Sequence, residues 1–474
     1  MIVGAEFLTS GSLPPVLIIG SGPAGVSLAV GLSELGIGAI VLEAGPEDWS
    51  DPSQDRYAGE VFGDGYFPLD SARLRYLGGS SNHWAGWCRP LDEKDFERRE
   101  DVPHTGWPIK KDDLAPFLQP ACDILEVTPP EDNVLSDDLV EVGFSLSPPV
   151  RFGEKYREFF EKAPDTHLVL SCSVESLDAR DGRITALNLL AGDSAVRIDA
   201  PETVVLCCGG IENSRLLLWS NVTSAQRVVA NDATLGRFWM EHPHASLGDV
   251  AVSRNFDRVP LDGGEIRVAP RKDSMLRHGI MNGALRFYRV YQEESRATDL
   301  AKRAICRTEP LSSRFLSLAG RQVQCTSRIA IAWEQAPVAE NRVSLSATAR
   351  DDHGIPRPEL HWRKSAIDYR TSKVILELFG KYLLQTGRGR VRADPFVIAE
   401  GGYPTSEGGY HHMGGTRMSS GASNGVVDAN LRIHDLSNGY VLGSSVFPTG
   451  GHANPTLTIV QLALRLAKHL AARI

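Results

Sequence analysis

With 474 residues, 42% of them apolar and 23% charged, the chain is long enough for two globular domains and too apolar for a disordered one. Its net charge of -9 comes without a dense cluster of Lys and Arg, which excludes the electrostatic footprint of a nucleic-acid binder. The seven cysteines (Cys88, Cys122, Cys172, Cys207, Cys208, Cys306 and Cys325) are odd in number and lack C-x-x-C spacing, so they read as buried thiols rather than a disulfide framework, zinc site or haem attachment.

The opening MIVGAEFLTSGSLPP lacks the charged start and long apolar core of a signal peptide. The longest largely apolar stretch, Val26 to Leu42, is broken by Glu34 and is too short to span a bilayer. A cytoplasmic protein, with neither membrane nor nucleic acid as partner, is the expectation. Residues 16 to 19, VLII, then predict a buried parallel strand, VSLAVGLSEL a helix, and AIVLE a second strand ending at Glu43. Between strand and helix stands Gly20-Ser-Gly22-Pro-Ala-Gly25, and Glu43 follows Gly25 by 18 residues.

Each part of that unit has a physical task. Gly20 permits the tight turn, Gly22 lets the backbone approach a pyrophosphate, and Gly25 allows close helix–strand packing. The helix N-terminus offers free N–H groups to the phosphates, and Glu43 is placed to accept hydrogen bonds from a ribose diol. Dinucleotide binding follows, but the motif alone does not separate FAD from NAD.

Further along, Asp351-Asp-His-Gly354 is a turn signal between the strand-like RVSLS and PELHW, predicting a hairpin. Residues 365 to 385 have the apolar spacing of a helix. Between 245 and 400 the Arg- and Tyr-bearing stretches, such as ALRFYRVYQEESR, form no recognisable substrate box.

Five segments carry a resemblance. RLRYLGGSSNHWAGWCRP (73 to 90), VVLCCGGIENSRLLLWS (204 to 220), AWEQAPVAENRVSLS (332 to 346), YHHMGGTRMS (410 to 419) and GYVLGSSVFPTGGHANPTLTIVQLALRLA (439 to 467) resemble, in order, segments of the glucose-methanol-choline (GMC) oxidoreductases. The GGxxxHW form and the NPTLT ending are most similar to the pyranose-oxidase-like bacterial members, which act on sugars and glycosides. The resemblance implies an α/β fold: a discontinuous Rossmann-like FAD-binding domain over roughly 12–145, 165–235 and 405–474, and an α+β substrate domain built on an antiparallel sheet over 236–404. It implies FAD as cofactor, a small-molecule alcohol (a sugar, glycoside or aminoglycoside-like polyol) as substrate, and O₂, a quinone or another compound as electron acceptor.

The resemblance also places the chemistry. Histidine suits proton removal from an alcohol because its unperturbed pKa lies near 6.5. The implied base is His412, with its Nε2 on the substrate hydroxyl and Asn454 as its partner 42 residues on. His411 is the competing base, and His452 reads as a neighbour. Asn454 has a second reading as helix cap ahead of Pro455 and Thr456, and the N-terminus of that helix is aimed at the flavin. His83 stands where some relatives carry a covalent flavin; a ring that merely packs beside the flavin is the other possibility. Gly79, Ser80, Asn82 and Trp84 around it, Val174 near adenine, and Ser444 near the pyrophosphate complete the implied cofactor set. Gly443 stands where many relatives have an acid. Trp84 and Trp87 read either as sugar-stacking or as packing side chains. A lyase with non-redox FAD, a lipophilic alcohol or steroid as substrate, an NAD-dependent dehydrogenase and a non-enzymatic binding module are the competing readings.

Overall fold

The computed structural model describes residues 1–11, 13–252, 265–288, 327–399 and 408–474. Cys306, Cys325 and the 289–296 part of ALRFYRVYQEESR lie outside them. Val16–Ile19, Ala39–Leu42, Thr166–Val169 and Thr203–Leu206 are buried at every position. That is the pattern of strands covered on both faces. With Ile2–Val3 and Gly439–Val441 they form a six-stranded parallel sheet in the order 2–3, 166–169, 39–42, 16–19, 203–206, 439–441. Each fully buried aliphatic side chain here is worth about 1.5–3 kcal/mol.

The crossover from the first nucleotide strand is the helix Pro23–Glu34. It crosses Thr456–Ala471 so closely that a Cβ on Gly31 would stand 3.1 Å from Ala467 Cβ. The helix Gly209–Thr223 follows strand 203–206 and is tied to the antiparallel sheet 172–199 by Ser220, whose Oγ accepts from Leu177 N at 3.0 Å.

A second sheet has seven strands, all neighbours antiparallel, in the order 389–393, 244–252, 327–333, 283–288, 265–270, 139–141, 133–134. Helix Ala366–Thr386, opened by Ser365 and Asp368 as a capping box, covers one face through Ile375, Phe379 and Leu383 against Leu285, Phe287 and Ile331. The other face is open to a cavity.

Two segments sit differently from the division by residue number. Residues 133–141 pair at the edge of this second sheet, because Leu139–Glu141 matches the free edge of Glu265–Pro270. The hairpin Arg342–Arg350/Pro356–Trp362 forms with its turn at 351–354, yet does not join the seven strands. It pairs in parallel with Glu60–Gly63 and buries Trp362 against Trp239 and Leu69. Among the described residues no helix is long and apolar enough to cross a membrane.

Candidate active site

A cavity of about 490 Å³ runs from the Gly20–Gly22 turn, along the 79–87 segment, to the open face of the seven-stranded sheet. At its first end the turn is built as its glycines require. Gly20 has φ 104, and a Cβ on Gly25 would meet Gly20 O at 1.9 Å. A Cβ on Gly22 would meet no protein atom within 4 Å. A pyrophosphate would find room there, against the N-terminus of Pro23–Glu34. Residues present therefore fit a dinucleotide.

Glu43 lines this end, but part of its accepting capacity is spent on the turn. Oε2 accepts from Ser21 N at 3.0 Å and Oε1 from Gly45 N at 2.8 Å. Val174 does not line the main cavity. It lines an adjoining cleft of about 70 Å³ that shares Tyr57 and Cys208 with it. Gly79, Ser80, His83, Trp84, Ser444, Asn454, Pro455 and Thr456 all face the cavity. Asn82 does not: its amide donates to Leu77 O at 2.8 Å and closes the loop instead of reaching a ligand. Trp84 is pinned by Nε1–H to Val150 O at 2.9 Å.

The loop that carries the histidine pair is set by Tyr410, a non-glycine residue at φ 57. Such strain persists only where surroundings enforce it. Here Glu241 Oε1 accepts from the N–H groups of His242, Gly409 and His411 at 2.8, 3.2 and 2.9 Å. The Tyr410 ring in turn stacks on His83, centroids 5.8 Å apart.

Asn454, implied to share the substrate hydroxyl with His412, meets the other histidine of the pair. Successive residues of this loop point to different sides, and it is His411 whose Nε2 receives Asn454 Nδ2 at 3.1 Å. Its Nδ1 lies 2.8 Å from Nδ1 of His242. Both His411 nitrogens are thus engaged by protein. With its amide committed there, Asn454 makes no cap bond, and the helix Thr456–Ala471 starts after Pro455 without a side-chain cap. Its first N–H groups are left for the cavity.

His412 points the other way. Its Nε2 is 3.0 Å from Tyr66 Oη, and Tyr66 Oη bonds Glu241 Oε2. Nε2, expected on the substrate, faces Tyr66, while no hydrogen bond joins Nδ1 to a described residue. Burial, helped by Arg73 and His83, pushes His412 down to about 3. Burial takes His242 to about 3 and holds His411 well below the usual imidazole range, so all three rings are neutral at pH 7. Burial also raises Glu241 to about 7, against the pull of Tyr66 and the three backbone N–H groups. His452 lines the cavity with Nε2 3.4 Å from Asp92 Oδ2.

Tyr66, Glu241 and His242 escaped sequence reasoning. The run Glu241-His-Pro-His244 places an acid and two histidines within four residues, which is a usable signal; Tyr66 offers none.

A nucleotide turn joined by one cavity to a cluster of neutral histidines is the layout of a dinucleotide-dependent oxidoreductase. The comparisons agree. A family model described as GMC oxidoreductase matches residues 337–463, and an FAD binding domain matches 14–56. The chain is 22% identical to the 2-methyl-1,2-propanediol dehydrogenase of Mycolicibacterium austroafricanum, covering 98% of this chain and 96% of that one. It is 32% identical to the paromamine 6'-oxidase of Streptomyces fradiae, over 28% of this chain and 24% of that protein. The pyridoxine 4-oxidase structure from Mesorbium loti shares the fold, with a TM-score of 0.57 and 16% identity over 96% of this chain and 99% of that one. The GMC oxidoreductase match covers the C-terminal part of the chain, and the chain is an FAD-dependent oxidoreductase acting on alcohols.

Proposed function

We propose that the enzyme oxidises a hydroxyl of a sugar, glycoside or related polyol to a carbonyl, with His412 as general base. One observation carries the reading: a neutral imidazole on the cavity wall whose Nε2 is held by Tyr66 and, through it, by Glu241. With Glu241 ionised, Tyr66 donates to the carboxylate and His412 Nε2–H donates to Tyr66. That tautomer leaves the Nδ1 lone pair for the substrate's hydroxyl proton, and the buried negative charge two bonds away stabilises the imidazolium that results. Asn454 positions the same corner from the other side, through His411.

The glycine turn and the N-terminus of Pro23–Glu34 would hold the FAD pyrophosphate; Gly79, Ser80, His83, Trp84 and the N-terminus of Thr456–Ala471 would hold the ring system. Bound there, FAD supplies the acceptor for the hydride that leaves the carbinol carbon. The sugar-like substrate rests on the GGxxxHW and NPTLT segments and on the paromamine 6'-oxidase relative. Its electron acceptor is O₂, or a quinone or other compound; peroxide formation under air marks the first. We take the two-domain division of the chain as part of the same proposal.

The test is anaerobic mixing with a panel of sugars, glycosides and hydrophobic alcohols, read by loss of flavin absorbance at about 450 nm. His412→Ala should keep bound FAD and lose about 10²–10⁴-fold in reduction rate. An unchanged rate would discard the assignment; substrate conversion with the flavin still yellow would mark a non-redox lyase. Acid precipitation reads His83: colour in the pellet marks a bond to the flavin, colour in the supernatant a ring that only packs against it.

A further inference from the structure

The open face of the seven-stranded sheet is the substrate side of the cavity, and its register decides what stands there. Residues directly opposite on antiparallel strands point to the same face. His244, Ala332 and Ala284 form one row, and Ala330, Arg286 and Arg267 the next. His244, Ala332, Ala284, Arg286 and Arg267 all line the cavity. Two arginines therefore face each other across neighbouring strands, an arrangement that like-charge repulsion disfavours.

Arg267 has a counter-charge. It pairs with buried Glu265, and its guanidinium lies 4.0 Å over the Trp87 ring. Arg286 is half-buried and forms no ion pair or hydrogen bond with a described residue. His244 beside it is pushed down to about 4, by burial and then by Arg286, and contributes no negative charge. Ala284 and Ala332 keep the space in front of the guanidinium open. Among the described residues the floor of the site thus carries the unpaired charge of Arg286 in a half-buried setting, where an isolated cation is disfavoured unless something anionic joins it.

We propose that Arg286, with Arg267 behind it, is an anion subsite, and that the substrate is an alcohol bearing a carboxylate or a phosphate. This rests on the alcohol-oxidation reading and narrows it: a sugar acid or sugar phosphate fits, whereas an ammonium-bearing aminosugar is repelled. The planar guanidinium suits either oxyanion, so the probes must separate them.

The experiment uses FAD-loaded enzyme. D-gluconate, D-glucose 6-phosphate and D-glucose are compared by anaerobic flavin bleaching, and gluconate and inorganic phosphate by calorimetry, which needs no turnover. The expected result is a kcat/KM at least about tenfold higher for one anionic alcohol than for glucose, naming carboxylate or phosphate as the anchor. Arg286→Gln should weaken binding of that anion about 10- to 100-fold, mainly through KM, and Arg286→Lys should restore part of it. Equal kcat/KM for charged and neutral alcohols, or anion binding unaffected in Arg286→Gln, overturns the subsite. Anion binding lost in Arg286→Gln while no alcohol bleaches the flavin supports the subsite and sinks the oxidation reading instead.

Discussion

One hydrogen bond direction decides whether His412 is a base. Burial pushes Glu241 up to about 7, so both of its protonation states are populated near neutral pH. Ionised, it accepts from Tyr66, which accepts from His412 Nε2–H, and Nδ1 is free. Protonated, it donates to Tyr66, Tyr66 donates to Nε2, and the proton moves to Nδ1, where it blocks the substrate. Flavin reduction should therefore rise with pH through about 7; a flat profile between pH 6 and 8 contradicts the relay. Glu241→Gln fixes the unproductive direction, since its Oε1 still accepts the three backbone N–H groups while Nε2 donates to Tyr66. It should lose about 10²-fold or more in reduction rate at every pH. The raised carboxyl favours the fold below its unfolded value of 4.5, and that advantage is lost as pH rises through about 7. Glu241→Gln should accordingly melt higher than the parent at pH 8, and by much less at pH 5. None of this was legible in the sequence. The His-His pair was, but which ring meets Asn454 depends on a left-handed Tyr410, and Tyr66 lies 346 residues from His412.

Elements carry the nucleotide site, and there sequence served well. Strand, turn, helix and second strand lie within residues 16–43, where periodicity and glycine spacing act locally. The resemblance implied the antiparallel sheet, but its strand order and register were hidden, because the strands are drawn from 133 to 393 and pair with distant partners. Arg286 opposite Arg267 is a fact of that register, as is the edge pairing of 133–141. The local unit makes a sharp prediction. Gly22 has φ -71, ordinary for any residue, and room for a methyl. Gly22→Ala should leave the unfolding free energy of flavin-free protein within about 0.5 kcal/mol of the parent. FAD affinity, measured by titration, should fall about tenfold or more, because the methyl occupies the phosphate's approach. Equal loss of fold and flavin would mean the position serves folding, not the ligand. Gly25→Ala is the contrast: its Cβ meets backbone, and both properties should fail together.

At the scale of the molecule, the 342–362 hairpin is fastened to the nucleotide half by charge. Asp351, fully buried, pairs with Arg215 at 2.8 Å and lies 3.6 Å from Arg56, which is itself paired with Glu175 at 2.8 Å. Burial alone would raise the Asp351 carboxyl, but Arg215, Ile355 N–H and Arg56 outweigh it and hold it below its usual value. Its stabilisation is present above an unfolded pKa of 3.8 and is lost as pH falls through the lower folded value. Asp351→Ala leaves Arg215 buried without its partner, a change that costs about 3–5 kcal/mol. Flavin binding acts in the opposite direction, since the cavity is walled by the turns after the six-stranded sheet and by the seven-stranded sheet, and exists only in the folded chain. At a hundred times its Kd, a non-covalent FAD adds about 2.7 kcal/mol. The loss exceeds the gain, so Asp351→Ala with that much FAD should still show a lower urea midpoint than the flavin-free parent at pH 7. The two curves should approach each other only as pH falls below 3.8, through the lower value that Asp351 has in the folded parent. A rescued midpoint at pH 7 would show that the hairpin is held by its apolar contacts, Trp362 against Trp239 and Leu69, and that the ion pairs only decorate the joint.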